Sequence, residues 1–269
     1  MKRIVPPLLA LALLALPAAT RAFPRESCGE QTCADCHLMS REDAKALLGP
    51  LVEEVTQIGY SEVPGLFEVV GTKGGKKYPL YIDFSRQFVV SGDVIRVATR
   101  ESITRDRYYA LNKVDLSQIP VADALVMGKP DAPHKIVVLD DPECPFCQKL
   151  FGEMKTVVEQ RPEVAFLIKM FPLPIHPKAK EKAKAIICAK SLQMLEDSLA
   201  GRPVPAPSCT TDQVEKNLAL GRTLGINSVP ALIFPDGMLV PGYATAQRIL
   251  SLLDQALAGI PPAPGETKP

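Results

Sequence analysis

The sequence predicts two folded units in series, a small α+β unit and then a larger α/β unit, behind a targeting leader. Near residue 40 an apolar helical pattern behind a polar cap gives way to short β-rich runs separated by Gly- and Lys-bearing turns. From His134 onward, short buried-strand patterns alternate with amphipathic helical ones, the mark of an α/β layer structure. Before both comes a basic and then apolar N-terminus.

That leader, "MKRIVPPLLALALLALPAATRA", has Lys2 and Arg3 at its start, an apolar stretch, and the small residues Thr20 and Ala22 at its end. It reads as a signal peptide over residues 1–22, cleaved near Ala22. The stretch is Pro-interrupted, short for a membrane anchor, and closed by the basic Arg21. The remaining chain is expected to be soluble. With 31 Lys+Arg against 30 Asp+Glu, the net charge of +1 gives no reason to expect nucleic acid or an anionic membrane surface as partner. All seven cysteines (Cys28, Cys33, Cys36, Cys144, Cys147, Cys188 and Cys209) lie beyond the cleavage point, in a compartment where disulfides persist. Their odd number leaves one without an intramolecular partner unless some serve another chemistry.

A Cys-rich head occupies residues 23–39. In "SREDAKALLGPLVEEV", Ser40 is a candidate N-cap, acids fill the first turn, and Ala44, Leu47, Leu48, Leu51 and Val55 recur at helical spacing. "GLFEVV", "KYPLYIDF", "QFVV" and "DVIRVAT" read as a strand meander. Residues 40–98 thus form a unit small enough to be marginal alone, for which dimerisation is a natural remedy. Residues 99–133 read as a linker arm, polar-helical at first and Pro-bearing at its end. The larger unit spans residues 134–259. It opens with the strand "KIVVLDD" and a helix "CPFCQKLFGEMKTVVEQ" that puts Phe146, Leu150, Met154, Val157 and Val158 on one side. There follow the strand "EVAFLIKMF", one long helix through "PKAKEKAKAIICAKSLQMLEDSLAG" ended by Gly201, and a capped helix "TTDQVEKNLALGRTLGI". A hairpin turning at Pro235-Asp236-Gly237 and a closing helix "TAQRILSLLDQALAG" complete it, and residues 260–269 read as a disordered tail.

The chemistry concentrates in "DDPECPFCQKLF". A strand running into Cys-x-x-Cys at a helix start places Cys144 where unpaired backbone N–H groups and the helix dipole stabilise a thiolate. Pro145 suits the first helical turn, where its missing N–H costs nothing. Cys144 is then the nucleophile, and Cys147, one turn inward, can attack the mixed disulfide that results. Zinc would need four ligands, and the other Cys-x-x-Cys pair lies in a different unit with no local His to complete a finger. No metal site is expected.

"LDDPECPFCQKL", "CAKSLQMLEDSLAGRPVPAPSC" and "LGINSVPALIFPDGMLVPGY", with the small preceding unit, resemble the DsbC/DsbG family of periplasmic thiol:disulfide interchange proteins. The resemblance is close over residues 140–243 and looser over 40–98. It implies a thioredoxin fold with a helical insertion, preceded by a small α+β dimerisation domain, and a structural disulfide between Cys188 and Cys209. It makes Val229-Pro230 a cis-proline loop facing Cys144, where substrate backbone pairs in extended form. It also implies a periplasmic homodimer that isomerises or reduces disulfides of misoxidised exported proteins, binds unfolded chains like a chaperone, and is kept reduced by a membrane thiol reductase. Pro-Phe stands between the cysteines where DsbC carries Gly-Tyr. Val229 stands where DsbC has threonine, a feature shared with the oxidase DsbA, so a DsbA-like oxidase is the alternative.

"CADCH" in the head matches a covalent haem c attachment signature, with Cys33 and Cys36 as thioethers and His37 as axial ligand. That match makes a haem-linked electron-transfer or cytochrome-maturation protein the second alternative. The plainer reading is a local disulfide with no cofactor required, and it is preferred because so short a match recurs by chance. Either way one head thiol is left over, and in a dimer it could meet its twin. His134 and His176, beside prolines, are given no role.

Overall fold

The structure is a computed structural model and describes residues 37–259. The expected signal peptide, the head cysteines Cys28, Cys33 and Cys36, and the tail beyond residue 259 lie outside the described residues.

Helix α1 (Arg41–Leu48) begins at a reciprocal cap. The Ser40 hydroxyl accepts from the Asp43 N–H at 3.0 Å, and the Asp43 carboxylate accepts from the Ser40 N–H at 3.4 Å. Ala44 and Leu48 are buried, as the spacing predicts, but the helix stops short of the apolar run. Gly49 and Pro50 turn the chain into a 3-10 segment (Gly49–Leu51), and Val55 belongs to strand β1 (Glu54–Tyr60) instead. Strands β2 (Leu66–Lys73), β3 (Lys76–Asp83) and β4 (Val89–Val90) follow, giving an antiparallel sheet ordered β1-β2-β3-β4. Gly74 and Gly75 take φ values of 57° and 73°, which lets Lys73 pair with Lys76 across a two-residue turn. "DVIRVAT" is not the strand expected of it. It makes one isolated bridge, Ile95 to Ser102, and among the described residues no strand covers Ile95 and Val97, which stay exposed. Val52, Phe67, Val69, Leu80 and Ile82 close the small core over α1.

The linker expectation fails in an informative way. Helix α2 (Ile103–Leu111), capped by Ser102, lies on β3. The Tyr81 hydroxyl meets Thr104 Oγ1 at 3.0 Å, and Asn112 bonds both backbone groups of Lys77 at 2.8 and 3.0 Å. The opposite flank of the arm is tied to the larger unit. Arg248 pairs with Glu101 at 2.9 Å and with Asp106, and the Val114 N–H donates to the Gly237 carbonyl at 2.8 Å. Strand β5 (Leu125–Gly128), also within the expected arm, is an edge strand of the second sheet with Leu125 and Met127 buried. The larger unit therefore begins before His134. Short alternation in "ALVMG" was hidden by the flanking prolines and glycine.

The second sheet is ordered β5-β7-β6-β8-β9. Strands β6 (His134–Asp140) and β7 (Val164–Met170) run parallel at its centre, and β8 (Ala231–Ile233) and β9 (Leu239–Pro241) form the expected hairpin. Helices α3 (Pro145–Gln160) and α7 (Ala246–Ala258) pack together, burying Leu150, Met154 and Val157 of the first and Ile249, Leu252 and Leu253 of the second. Phe146 departs from its predicted face and is 57% exposed. Between β7 and β8 comes a helical insertion. The single long helix predicted there is two, α4 (Ala179–Ala189) and α5 (Leu192–Leu199). Lys190 turns left-handed at φ 47°, and Ser191 restarts the chain by accepting from the Met194 N–H at 3.1 Å. Helix α6 (Gln213–Thr223) completes the insertion.

Candidate active site

Strand β6 delivers the chain to the site. Its last residue, Asp140, and the next, Asp141, are fully buried, and the chain then turns through Pro142 and Glu143 to Cys144, the residue that caps α3. The Cys144 N–H donates to the Asp141 carbonyl at 3.0 Å, and Pro145 occupies the first helical turn. No side chain caps this helix. Its free N–H groups therefore face the Cys144 sulfur.

Cys144 and Cys147 are unjoined thiols, and their environments push them apart. A hydrogen bond from Cys147, with the backbone N–H groups of Cys147 and Phe146, outweighs burial and lowers the Cys144 thiol to about 6. Burial, with the neighbouring Cys144 and Asp140, pushes the Cys147 thiol far up. One sulfur is therefore a thiolate at neutral pH and the other a thiol. The Asp141 N–H donates to Cys147 Sγ at 3.4 Å.

Across from Cys144, the Val229-Pro230 peptide is cis, and the Val229 carbonyl lies 3.8 Å from Cys144 Sγ. These four sequence-selected residues meet at one place. Cys188 and Cys209 are joined to each other, away from the dithiol, tying the end of α4 to the loop before α6. His37 is described, but Cys33 and Cys36, its partners in the haem signature, lie outside the described residues. Among the described residues no group of three or more His, Cys, Asp and Glu side chains could hold a metal ion.

Three residues escaped the sequence reading. Asp140 is buried with neither carboxylate oxygen in a well-formed hydrogen bond, and burial, reinforced by Asp141 and Cys144 and opposed by the neighbouring Cys147 thiol, raises its carboxyl well above the usual range. Asp141 is buried but fully engaged: it accepts from the Glu143 N–H at 2.8 Å, the Leu173 N–H at 2.7 Å and His176 Nδ1 at 2.7 Å. His176 follows β7 and reaches the site from a different element. Its bond to Asp141 raises the imidazole above the ordinary histidine value, although burial opposes this. The "DD" ahead of the cysteines was the available signal for the acids. His176 had none, because its partner lies 35 residues away in sequence.

A strand-to-helix Cys-x-x-Cys with one activated sulfur, set against a cis-proline loop on a helix-flanked sheet, defines a thioredoxin-like dithiol protein. The chain belongs to the thioredoxin-like domain family, whose model matches residues 121–257 and so begins ahead of β5. It is similar to the probable thiol:disulfide interchange protein DsbC of Bordetella avium, 31% identical over 180 residues that make up 66% of this chain and 61% of that protein. It is also similar to the thiol:disulfide interchange protein DsbC of Salmonella typhimurium, 29% identical over 77% of this chain and 84% of that one. Among solved structures, the disulfide interchange protein of Neisseria gonorrhoeae is 26% identical, with a TM-score of 0.44, over 51% of this chain and 99% of that chain.

Proposed function

We propose that the protein is a periplasmic thiol–disulfide oxidoreductase that isomerises or reduces disulfides in misoxidised exported proteins. The observation that carries this is the split between the two sulfurs: an activated Cys144 at the helix start and a protonated, buried Cys147 behind it. The Cys144 thiolate attacks one sulfur of a substrate disulfide and displaces the other as a thiolate, leaving a mixed disulfide. If the freed substrate thiolate attacks a different substrate disulfide, and the thiolate released there attacks the mixed disulfide and expels Cys144 as a thiolate, bonds are reshuffled with no net electron transfer. If Cys147 loses its proton and attacks Cys144 Sγ, the substrate leaves with both sulfurs reduced and the protein holds the Cys144–Cys147 disulfide. Two electrons from a membrane thiol reductase then restore the dithiol. No cofactor takes part, and the head carries no haem. The purified protein should lack a Soret band, and its presence would return Cys33, Cys36 and His37 to a haem role.

Substrate binding is assigned to the cis-proline loop, with Val229 and Pro230 offering backbone to an extended chain. Exposed apolar side chains nearby in the fold suit unfolded segments: Phe146 between the cysteines and Ile175, 76% exposed, one residue before His176. The small domain is assigned to homodimerisation. Leu47, Leu51, Phe88, Val89 and Val90 are exposed on it, and β4 is a two-residue edge strand with nothing beyond it among the described residues. Light scattering at micromolar concentration should report a dimer; a monomer would remove the architecture that isomerisation needs.

The oxidase reading keeps one specific support. Stabilising the Cys144 thiolate stabilises the reduced protein, which makes the disulfide form a stronger oxidant. Refolding a scrambled multi-disulfide substrate, beside oxidation of a fully reduced one, separates the two. The proposal expects recovery of the scrambled substrate, whereas oxidation alone would replace isomerase by oxidase.

A further inference from the structure

Asp141 poses a problem for the site it belongs to. Its carboxylate is fully buried three residues before Cys144, and a negative charge there opposes the thiolate. The Glu143 carboxylate is the next acid along. Lys182 of α4 holds Glu143 at 2.7 Å, and the Lys178 backbone also donates to it, so that charge is neutralised from outside the dithiol. Burial pushes the Asp140 carboxyl up and so disfavours its charged form. Asp141 is left, and the ionisable side chain bonded to it is His176, 2.7 Å away and 19% exposed.

We propose that His176 is a positioning residue of the thiol site, its protonated ring clamped on Asp141 so that this buried carboxylate does not suppress the Cys144 thiolate. The inference rests on Cys144 being the attacking sulfur. The geometry gives His176 two routes of influence. Through charge, the ring faces Asp141, Cys144 and Glu143 together, and its attraction to the Cys144 thiolate is mutual. Through shape, the clamped Asp141 side chain fixes the residue whose N–H meets Cys147 Sγ at 3.4 Å and whose carbonyl receives the Cys144 N–H. The loop is held from the far side as well, where the His176 N–H donates to the Leu173 carbonyl and the Leu173 N–H to Asp141. Because the two titrations interact, each group changes the other by the same free energy. Rising pH removes the ring's charge and leaves Asp141 uncompensated beside the sulfur.

The test titrates Cys144 in the reduced full chain by thiolate absorbance and by alkylation rate, in the wild type and in His176→Asn and His176→Lys, with circular dichroism confirming the fold. His176→Asn keeps a donor for Asp141 without the charge and should raise the Cys144 pKa by about one unit, so that alkylation at pH 5 slows about tenfold. His176→Lys restores the charge and should return the rate towards wild type. The reciprocal arm follows the His176 ring by NMR in Cys144→Ser, where loss of the thiolate should lower the imidazole pKa. If wild-type Cys144 titrates low but His176→Asn titrates identically, or if the His176 ring ignores Cys144→Ser, this inference is overturned and the dithiol reading stands. A wild-type Cys144 that titrates near an ordinary thiol overturns both. Should His176→Asn fail to fold, the NMR arm decides alone.

Discussion

At the scale of single residues, the site is a set of acids and sulfurs sorted by what surrounds them. Cys144 sits at a helix start and is charged, while Cys147 sits one turn deeper and is not. Replacing Cys147 with alanine should therefore trap mixed disulfides with substrate proteins through Cys144, seen as adducts on a non-reducing gel; adducts that form instead in Cys144→Ala would reverse the roles. Asp140 gives a second expectation. Its carboxyl is raised in the folded chain, so folding favours the protonated form over the ionised one. Its contribution is most favourable below the unfolded carboxylate range, near pH 4, and is lost as pH climbs towards the raised folded value. Asp140→Leu, which removes a buried carboxyl with no well-formed hydrogen bond, should raise stability at pH 8 by about 1–3 kcal/mol and flatten its pH dependence between 4 and 8. Urea melts at the two pH values measure this, and equal slopes in wild type and variant would refute it. The cysteines were legible because a helix start and a three-residue spacing are local facts. His176 was illegible because its meaning depends on β6 and the chain after β7 being brought together.

At the scale of elements, local rules located most of the structure and failed where two of them competed. Apolar spacing from Ala44 to Val55 is helical throughout, yet Gly49 and Pro50 overrule it and hand Val55 to a strand. The run from Ala179 to Leu199 likewise has helical spacing throughout, but Ser191 serves as a cap and divides it. The β-rich "DVIRVAT" makes a single bridge, Ile95 to Ser102, instead of joining the sheet, which no propensity reveals. The Cys188–Cys209 bond joins residues 21 positions apart within this divided insertion. On the loop-entropy view, replacing both cysteines with alanine should cost about 3 kcal/mol while leaving alkylation of Cys144 intact. A double variant with unchanged stability would show that the insertion is held by packing alone.

At the scale of the whole molecule, the arm is the lesson. Its sequence is polar and proline-bearing, yet α2 is bonded to strand β3 and, through Asp106, to Arg248 of helix α7, and β5 completes the second sheet. Lys169, buried in β7, explains why that edge matters: it pairs with Asp123 and donates to the Pro120 carbonyl at 2.6 Å, both groups supplied by the arm. A fragment beginning at Lys113 should fold and alkylate at Cys144. One beginning at His134 loses β5 and leaves Lys169 buried without a counter-charge, at a cost of about 3–5 kcal/mol. Thermal melts of the two fragments check this, and equal stability would reduce the arm to the tether its sequence suggests.

The bond between Cys188 and Cys209 also dictates an order of events in the life of the chain. Every copy leaves synthesis with its seven cysteines reduced. Making this one bond removes two electrons and two protons, and a dithiol that is itself reduced cannot accept them. An outside oxidant must act on each new molecule before that molecule is complete, and it must spare Cys144 and Cys147 or be answered by a reductant that reopens them. The protein is therefore itself a substrate of disulfide formation, and its own insertion is a product by which that upstream oxidant can be judged.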